Sequence, residues 1–324
     1  MRAVLCKAWG APETLVVEEL SEPEPGAGEI AVQVKAVGLN FLDTLIVEGK
    51  YQVRPDFPFS PAAEFAGVVK KLGKHVVGFR EGDRVMAYTG YGAARETVIL
   101  KAEQAIPVPA AIPFETAAGL TITYGTTLHA LRDRANLKPN ETLAVLGASG
   151  GVGQAAIEIG KLMGARVIAC ASSPEKLDFC RSIGADETID YSSADLKQAL
   201  RDATGGKGVD VIYDAVGGPY TEPALRSIAW AGRLLVIGFA AGDIPRIPLN
   251  LTLLKGCAIV GVFWGEHARR EPERHRTNMT MLLNWCAEGK IRPHVERTWR
   301  LEETAKAIRA LADRKVRGKA IVVV

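Results

Sequence analysis

Residues 143–156 decide the fold, and they read Leu-Ala-Val-Leu-Gly-Ala-Ser-Gly-Gly-Val-Gly-Gln-Ala-Ala. An apolar run predicts a buried strand, a glycine-rich turn follows it, and the residues after the turn begin a helix. Gly147, Gly150 and Gly153 recur at every third position, so backbone N–H groups of the turn can bind a pyrophosphate at the positive end of the helix. The pattern is typical of dinucleotide binding, and a purely structural glycine turn is the alternative.

The segments after this motif alternate between strand length and helix length. Further candidate strands lie at residues 166–170, 209–213, 233–237 and 257–262. Such β-α-β alternation predicts an α/β domain with a doubly wound parallel sheet that is covered on both faces.

The end of the strand after the glycine turn indicates which dinucleotide binds. An NAD enzyme carries Asp or Glu there, about 20 residues after the turn, to hold the ribose hydroxyls. Here Ser172 and Ser173 occupy the position, Lys176 follows one helical turn later, and Tyr191 closes the next β segment. Hydroxyls and an ammonium group suit a 2′-phosphate, so we predict NADP(H). The alternative is a serine N-cap before Pro174 with an ordinary surface lysine.

The chain ends differ from this middle part. Residues 29–35 alternate apolar and polar side chains, as a half-buried antiparallel strand does, and frequent prolines argue against long helices in residues 1–120. Residues 301–311 have helical periodicity, and residues 320–324 form a strand with antiparallel-edge character. We therefore expect the C-terminal segment to return to a mostly β first domain.

Composition excludes several classes of protein. The 324 residues suffice for about two domains, and the formal net charge of +3 is too small to favour nucleic-acid binding. The five cysteines contain no CxxC pair, and no apolar run is long enough for a membrane span. We expect a cytoplasmic protein with no membrane or nucleic-acid partner.

The chain resembles the zinc-independent quinone oxidoreductase branch of the medium-chain dehydrogenase/reductase superfamily. The resemblance covers essentially the whole chain and rests on the glycine turn together with residues 37–43, 49–51, 64–69, 82–85, 123–127, 213–218 and 318–319. It implies a GroES-like catalytic domain built from residues 1–122 and 265–324, an inserted NADP-binding Rossmann domain of residues 123–264, and a homodimer.

Departures from the zinc enzymes of this superfamily are informative. Those enzymes have Cys where Asn40 stands and Gly-His-Glu where Ala62, Ala63 and Glu64 stand, and the four-cysteine lobe is also missing. We therefore predict no metal site. Without a Lewis acid, hydride reduction of an electron-poor acceptor fits better than alcohol oxidation.

The resemblance also implies roles for particular residues. Asn40 and Thr126 would lie beside nicotinamide and substrate, with Tyr51 as a hydrogen-bond donor to the acceptor oxygen; a turn residue and a rim aromatic are the alternatives for Asn40 and Tyr51. The implied cofactor contacts are Ser149, Gly150, Gly151 and Val152 at the pyrophosphate, and Val216, Phe239, Phe263 and Trp264 at the ring. Core packing is the alternative for Phe263 and Trp264. Lys319 would reach the cofactor or would be a solvated strand-edge lysine.

We expect an NADPH-dependent reductase of a small quinone or enone. One alternative is a 2-enoyl thioester reductase on the same scaffold, and another is an NADPH-binding protein without turnover. The five histidines are scattered and no G-x-S-x-G elbow occurs, so hydrolase chemistry has little support. Residues 269–276 mix charges, which indicates a solvated loop and helix start, although such a run also suits an acidic substrate tail such as coenzyme A.

Overall fold

A computed structural model describes residues 1–324. The chain forms two compact units. The terminal unit combines Met1–Ile122 with Ala268–Val324, and the inserted unit is Thr123–His267. The second boundary thus lies after His267, whereas the resemblance implies one after Trp264. None of the helices combines the length and the apolar character needed to cross a lipid bilayer.

Fifteen strands form the sheets of the two units. In chain order they are β1 (Arg2–Leu5), β2 (Val16–Glu19), β3 (Glu29–Leu39), β4 (Glu64–Leu72), β5 (Arg84–Tyr88), β6 (Thr97–Lys101), β7 (Ile106–Pro107), β8 (Thr142–Leu146), β9 (Arg166–Ala171), β10 (Glu187–Asp190), β11 (Val209–Asp214), β12 (Ile228–Val236), β13 (Ala258–Gly261), β14 (Val295–Arg300) and β15 (Lys319–Val323).

Eleven α-helices accompany these strands. They are α1 (Phe41–Val47), α2 (Phe114–Ala118), α3 (Thr121–Leu128), α4 (Gly151–Leu162), α5 (Pro174–Ser182), α6 (Leu196–Ala203), α7 (Thr221–Arg226), α8 (Asn250–Lys255), α9 (Trp264–Arg270), α10 (Pro272–Ala287) and α11 (Thr304–Ala312). A π-helix, His129–Arg134, follows α3 directly. Short 3-10 turns occupy Pro12–Thr14, Ala102–Gln104, Gly218–Tyr220 and Leu301–Glu303.

The terminal unit is built on a sheet in the order β14-β15-β3-β4-β5-β7, with β6 also paired to β3 and a separate β1-β2 hairpin. All pairings are antiparallel except β14 with β15. Alternate residues of β3, such as Val32 and Val34, are fully buried in the core of the unit. The mostly β, GroES-like character that the sequence predicts is confirmed.

The prediction that the last strand lies at a sheet edge is wrong. Strand β15 is an interior strand, because it pairs with β14 on one side and with β3 on the other. Its pairing places Ala320 opposite Leu39. The consequence is that Lys319, one residue earlier, is buried with 2% of its surface exposed.

The inserted unit has a fully parallel sheet in the order β10-β9-β8-β11-β12-β13. Numbered from β8, this is the order 3-2-1-4-5-6 of a doubly wound Rossmann sheet, whose ligands bind at the carboxyl ends of the strands where the order reverses. That point lies between β8 and β11. The predicted Rossmann class is confirmed.

Strand β12 starts earlier than the sequence suggests. The sequence predicts a strand at residues 233–237, whereas β12 begins at Ile228. The dipeptide Ala231-Gly232 is typical of a turn, but here Ala231 has a φ of 59° and forms part of an irregularity within one continuous strand. A bulge therefore replaces the expected strand boundary.

Candidate active site

Four polar side chains meet inside the terminal unit: Asn40, Asp43, Glu64 and Lys319, here called the buried lysine cluster. Strand pairing explains the meeting. Glu64 begins β4 opposite Gly38 of β3, and Lys319 begins β15 beside the end of β3. None of the four exposes more than 8% of its surface. Buried charges are tolerated only when they are paired and hydrogen-bonded, so the bonding of the cluster decides what it can do.

Lys319 is the centre of the cluster. Its Nζ donates to the Leu39 carbonyl at 2.9 Å, to Oδ1 of Asn40 at 2.7 Å and to Oε1 of Glu64 at 2.7 Å. Three acceptors match the three protons of an ammonium group. The geometry is incompatible with a solvated strand-edge lysine.

Glu64 is equally well satisfied. Its Oε1 also accepts from Nδ2 of Asn40 at 2.8 Å, and its Oε2 accepts from the backbone N–H of Ile122 at 2.7 Å. A side chain on Gly38 would collide with this carboxylate, because a Cβ there would lie 2.7 Å from Oε1. The motif glycine thus makes room for the glutamate.

Asn40 is held at both ends of its amide, so its orientation is fixed by Lys319 and Glu64. It immediately precedes α1, where its backbone N–H donates to Oδ2 of Asp43 at 2.7 Å. The sequence alternative of a turn residue therefore describes the backbone of Asn40, whereas its side chain belongs to the cluster.

Electrostatics single out Asp43. Burial raises the pKa of Asp43 to about 7, with a further rise from the Glu64 charge, while the Asn40 N–H and Lys319 oppose the shift. Burial and the charge of Asp43 raise the pKa of Tyr51, and burial raises that of Tyr88 to about 12. Tyr51 packs half-buried against the core of the unit. The terminal unit thus holds a carboxyl group that titrates near neutrality and tyrosines that stay protonated there.

In the inserted unit, the glycine turn has the geometry of a phosphate cradle. Gly147 has a φ of 72°, and Gly150 caps α4 without a side chain. A Cβ on Gly153 would lie 2.3 Å from the Gly147 carbonyl oxygen, whereas one on Gly150 would meet nothing closer than 3.5 Å. Gly153 is therefore required for the turn itself, while a Cβ on Gly150 at the N-terminus of α4 would meet no protein atom closer than ordinary contact distance.

The crevice at the carboxyl ends of β8 and β11 gathers several predicted cofactor residues. A Cβ on Gly147 would lie 2.9 Å from Cγ2 of Val216, and one on Gly217 would lie 2.8 Å from Cδ1 of Phe239. The loop that carries Val216 is shaped by Asp214, whose carboxylate accepts from the N–H groups of Val216 and Gly217 at 2.9 and 2.8 Å. Val216 thus borders the glycine turn, and Phe239 lies against Gly217 in the loop that follows β11.

Thr126 lies in α3, and its neighbour anchors that helix to the same region. The Thr127 hydroxyl lies 2.9 Å from the buried Tyr213 hydroxyl and 3.3 Å from the Val152 carbonyl oxygen. Within residues 121–130, Thr126 is the only one that is not fully buried. Its hydroxyl is therefore the most accessible hydroxyl group of this segment.

At the end of β9, the predicted phosphate residues come together. Ser173 is the N-cap of α5, and its side chain accepts from the Lys176 N–H at 3.4 Å. The ammonium group of Lys176 lies 3.4 Å from the Ser172 hydroxyl. Tyr191 packs against Tyr220 with ring centroids 4.4 Å apart. The N-cap alternative thus holds for Ser173, and the Ser172 hydroxyl and the Lys176 ammonium group lie side by side next to this cap.

The remaining predicted contacts differ in their surroundings. Phe263 is 61% exposed and Trp264 only 5%, so core packing describes Trp264 but not Phe263. The basic run is less solvated than expected at its end, where the Arg276 guanidinium donates to the Ala105 and Glu103 carbonyls. Arg274 pairs with Glu271. These guanidinium groups thus have partners within the chain.

Sequence reasoning missed Asp43 and Glu64 as site residues, although both lie in motifs that carry the resemblance. The available signal was the combination of an acidic residue at the start of β4 and a lysine at the start of β15. Only strand register shows that these positions are neighbours.

Comparisons with known proteins agree with this architecture. Residues 26–110 match the family model of the alcohol dehydrogenase GroES-like domain, and residues 151–282 match that of the zinc-binding dehydrogenases. A quinone oxidoreductase-like protein 2 from Bos taurus is 37% identical over 99% of this chain and 92% of its own length. A quinone oxidoreductase from Pseudomonas aeruginosa is 35% identical over 97% of each chain.

A solved structure shows that the similarity to quinone oxidoreductases extends to the fold. Escherichia coli quinone oxidoreductase complexed with NADPH superposes with a TM-score of 0.93 at 29% identity, covering 100% of both chains. Full-length similarity in sequence and fold places the chain in one family. The chain belongs to the quinone oxidoreductase branch of the medium-chain dehydrogenase/reductase superfamily.

Proposed function

We propose that this protein is an NADPH-dependent oxidoreductase that transfers a hydride to a quinone or another conjugated carbonyl compound without zinc. The buried lysine cluster is the observation that carries the proposal. By the resemblance, Asn40 stands where the zinc enzymes have Cys and Ala63 where they have His, and Asn40 and the neighbouring Glu64 are both bonded to the Lys319 ammonium group. Because both Glu64 oxygens already accept from protein donors, this donor set suits a fixed ammonium rather than a Lewis-acid metal.

The inserted unit supports NADPH as the cofactor, which supplies a hydride when it is bound. The uncrowded N-terminus of α4 at Gly150 fits a pyrophosphate, and the Ser172–Lys176 pair fits a 2′-phosphate. The residues that would hold the cofactor are Ser149, Gly150, Gly151 and Val152 at the pyrophosphate, Ser172, Ser173, Lys176 and Tyr191 at the adenosine end, and Val216, Phe239 and Phe263 at the nicotinamide. Trp264, which is buried, is assigned to core packing instead.

The residues of the terminal unit would position the acceptor and manage its proton. Reduction of a quinone to a hydroquinone takes one hydride and one proton at neutral pH. Asp43, whose pKa is raised to about 7, is suited to hold that proton. Tyr51 stays protonated and is suited to donate a hydrogen bond to the acceptor oxygen.

Asn40, Tyr51 and Thr126 are the residues that we assign to acceptor and nicotinamide contacts. Lys319 uses its three donors inside the cluster, so we assign it the role of holding Asn40 rather than touching the cofactor. We also propose a cytoplasmic homodimer. The exposed edge strand β13 and the exposed Leu253 and Leu254 on α8 support self-association of the inserted unit.

An acceptor panel tests the proposal. NADPH oxidation is followed with 1,4-benzoquinone, 9,10-phenanthrenequinone, an alkenal and crotonyl-CoA, on protein that has been treated with a chelator. We expect turnover with the quinones that survives chelation. Exclusive use of the thioester would support the enoyl reductase alternative. If none of the acceptors is reduced, the result would support an NADPH-binding protein without turnover. Loss of quinone reduction after chelation would contradict zinc independence.

A further inference from the structure

A second polar cluster lies in the inserted unit and shares no residue with the site described above. His129 and Asp133 lie on the π-helix, and His267 lies on α9. We call them the histidine–aspartate cluster. The two histidines are 8% and 7% exposed, and the Asp133 side chain is 6% exposed. Neither the glycine turn nor the buried lysine cluster involves any of the three.

The three side chains converge closely. Nδ1 of His129 lies 3.0 Å from Oδ2 of Asp133, and the rings of His129 and His267 stack with centroids 4.0 Å apart and an interplanar angle of 9°. One nitrogen of each ring and one carboxylate oxygen all lie within 4.8 Å of one another. In a tetrahedral site with bonds of about 2.0–2.2 Å, ligand atoms are roughly 3.3–3.6 Å apart. Because an imidazole nitrogen binds an ion in the plane of its own ring, coordination by both histidines requires the rings to rotate out of their stack as the ligand atoms close around the ion.

From this geometry we propose that His129, Asp133 and His267 form a binding site for a divalent transition-metal ion of the Zn²⁺ class. Two imidazoles and one carboxylate are the donor set that such ions prefer, and three protein ligands leave a fourth position for water. These residues differ from the positions at which the superfamily's zinc enzymes carry their metal ligands.

Contacts around the cluster orient its side chains. Nε of Arg132 binds Oδ1 of Asp133 at 2.9 Å and leaves Oδ2 directed towards His129. The Arg134 guanidinium donates to the Gly261 carbonyl at 3.1 Å and anchors the end of the π-helix. Such outer contacts orient metal ligands.

Cobalt binding tests the site without any enzyme assay. The full-length chain, freed of metal by a chelator, is titrated with Co²⁺, and the visible d–d absorption is recorded. We expect intense bands of a low-coordinate Co²⁺ ion that saturate at one equivalent and disappear when Zn²⁺ is added. Absence of these bands at excess Co²⁺ would overturn the proposal.

Two conservative variants assign the ligands. His267→Phe keeps a ring stacked on His129 but removes a donor, and Asp133→Asn keeps the shape while removing the charge. Each should weaken Co²⁺ affinity by more than about tenfold, since even outer contacts of metal sites contribute ten- to a hundredfold. His294→Phe is the matched control, because His294 lies 3.5 Å from Glu296 but outside the cluster. Unchanged affinity in both variants, or a loss in the control, would contradict the assignment.

Thermal unfolding gives a second readout if a variant folds poorly. Binding to the native state alone raises Tm as the ligand concentration rises. We expect Zn²⁺ to raise the Tm of the parent and the His294→Phe control and to leave the Tm of Asp133→Asn unchanged. An equal rise in all three proteins would place the ion elsewhere and overturn the proposal.

Discussion

The ammonium group of Lys319 lies 2.7 Å from the carboxylate of Glu64, and both side chains are buried. These residues are far apart in sequence and meet only because β15 and β4 flank β3. The pair fixes the amide of Asn40, whose oxygen accepts from Lys319 and whose nitrogen donates to Glu64. Removal of the Lys319–Glu64 ion pair should therefore lower both the stability and the activity of the protein.

Replacing Lys319 with Met should destabilise the protein by about 3–5 kcal/mol, since it leaves the Glu64 charge buried without a counter-ion. The free energy of unfolding in urea measures this. The double variant Lys319→Met/Glu64→Gln should recover part of the loss, because the Glu64 charge is removed together with its counter-ion. Lys315→Met, at an exposed lysine paired with Asp313, is the control and should be nearly neutral. Equal losses in the single and double variants would argue against a buried ion pair.

Asp43 should give the stability a distinctive pH dependence. Its pKa in the folded protein is raised to about 7 from an ordinary 3.8, so between these values the folded state binds a proton that the unfolded state has released. Its contribution to stability is therefore fully present below about pH 4 and is lost as the pH rises towards 7.

Asp43→Asn removes this titration. Relative to the parent, the variant should gain stability as the pH rises from about 4 to about 7, with no further change above that range. Urea unfolding at a series of pH values measures the difference, and Asp313→Asn on the exposed C-terminal turn corrects for the general loss of a carboxyl group. A difference that does not vary with pH would show that Asp43 titrates normally.

The glycine turn offers a matched pair of substitutions. Gly153→Ala places a methyl group 2.3 Å from the Gly147 carbonyl and should cost about 1–3 kcal/mol of stability through overpacking. Gly150→Ala meets no protein atom closer than 3.5 Å and should unfold nearly like the parent. Its methyl group would enter the proposed phosphate space, so NADPH affinity should fall roughly tenfold or more. Normal NADPH affinity of Gly150→Ala in a fluorescence titration would place the pyrophosphate elsewhere.

Lys176→Ala tests the 2′-phosphate site. A hydrogen bond to a charged group contributes about 1.5–3 kcal/mol, so NADPH binding should weaken roughly tenfold to a hundredfold while NADH binding stays unchanged. Dissociation constants for both cofactors measure the effect. Lys207→Ala, in an exposed turn of the same unit, should change neither constant. A parallel loss for NADH and NADPH would mean that Lys176 does not read the 2′-phosphate.

Local pattern accounts for the part of the fold that the sequence predicts. The glycine turn, the alternation of strands and helices, and the Ser172–Lys176 spacing are short-range features, and the structure has a Rossmann unit where they occur. Errors arose where tertiary contacts decide the outcome. Ala231-Gly232 became a bulge inside β12, and β15 became an interior strand because β14 pairs with its free side.

The buried lysine cluster was predictable only in part, because it too depends on contacts between residues that are distant in the sequence. Asn40 is marked by the motif around it, but its partners Glu64 and Lys319 are distant in sequence and are joined by register. His129 and His267 likewise look scattered in the sequence, and only the folding of the inserted unit stacks their rings.

The central claim is NADPH-dependent reduction of a quinone, and its most direct measurement is the ratio of kcat/KM for NADPH and NADH with 1,4-benzoquinone as the acceptor. A 2′-phosphate site built on Ser172 and Lys176 predicts a ratio of roughly ten or more in favour of NADPH. Equal use of NADH, or no quinone-dependent oxidation of either cofactor, would contradict it.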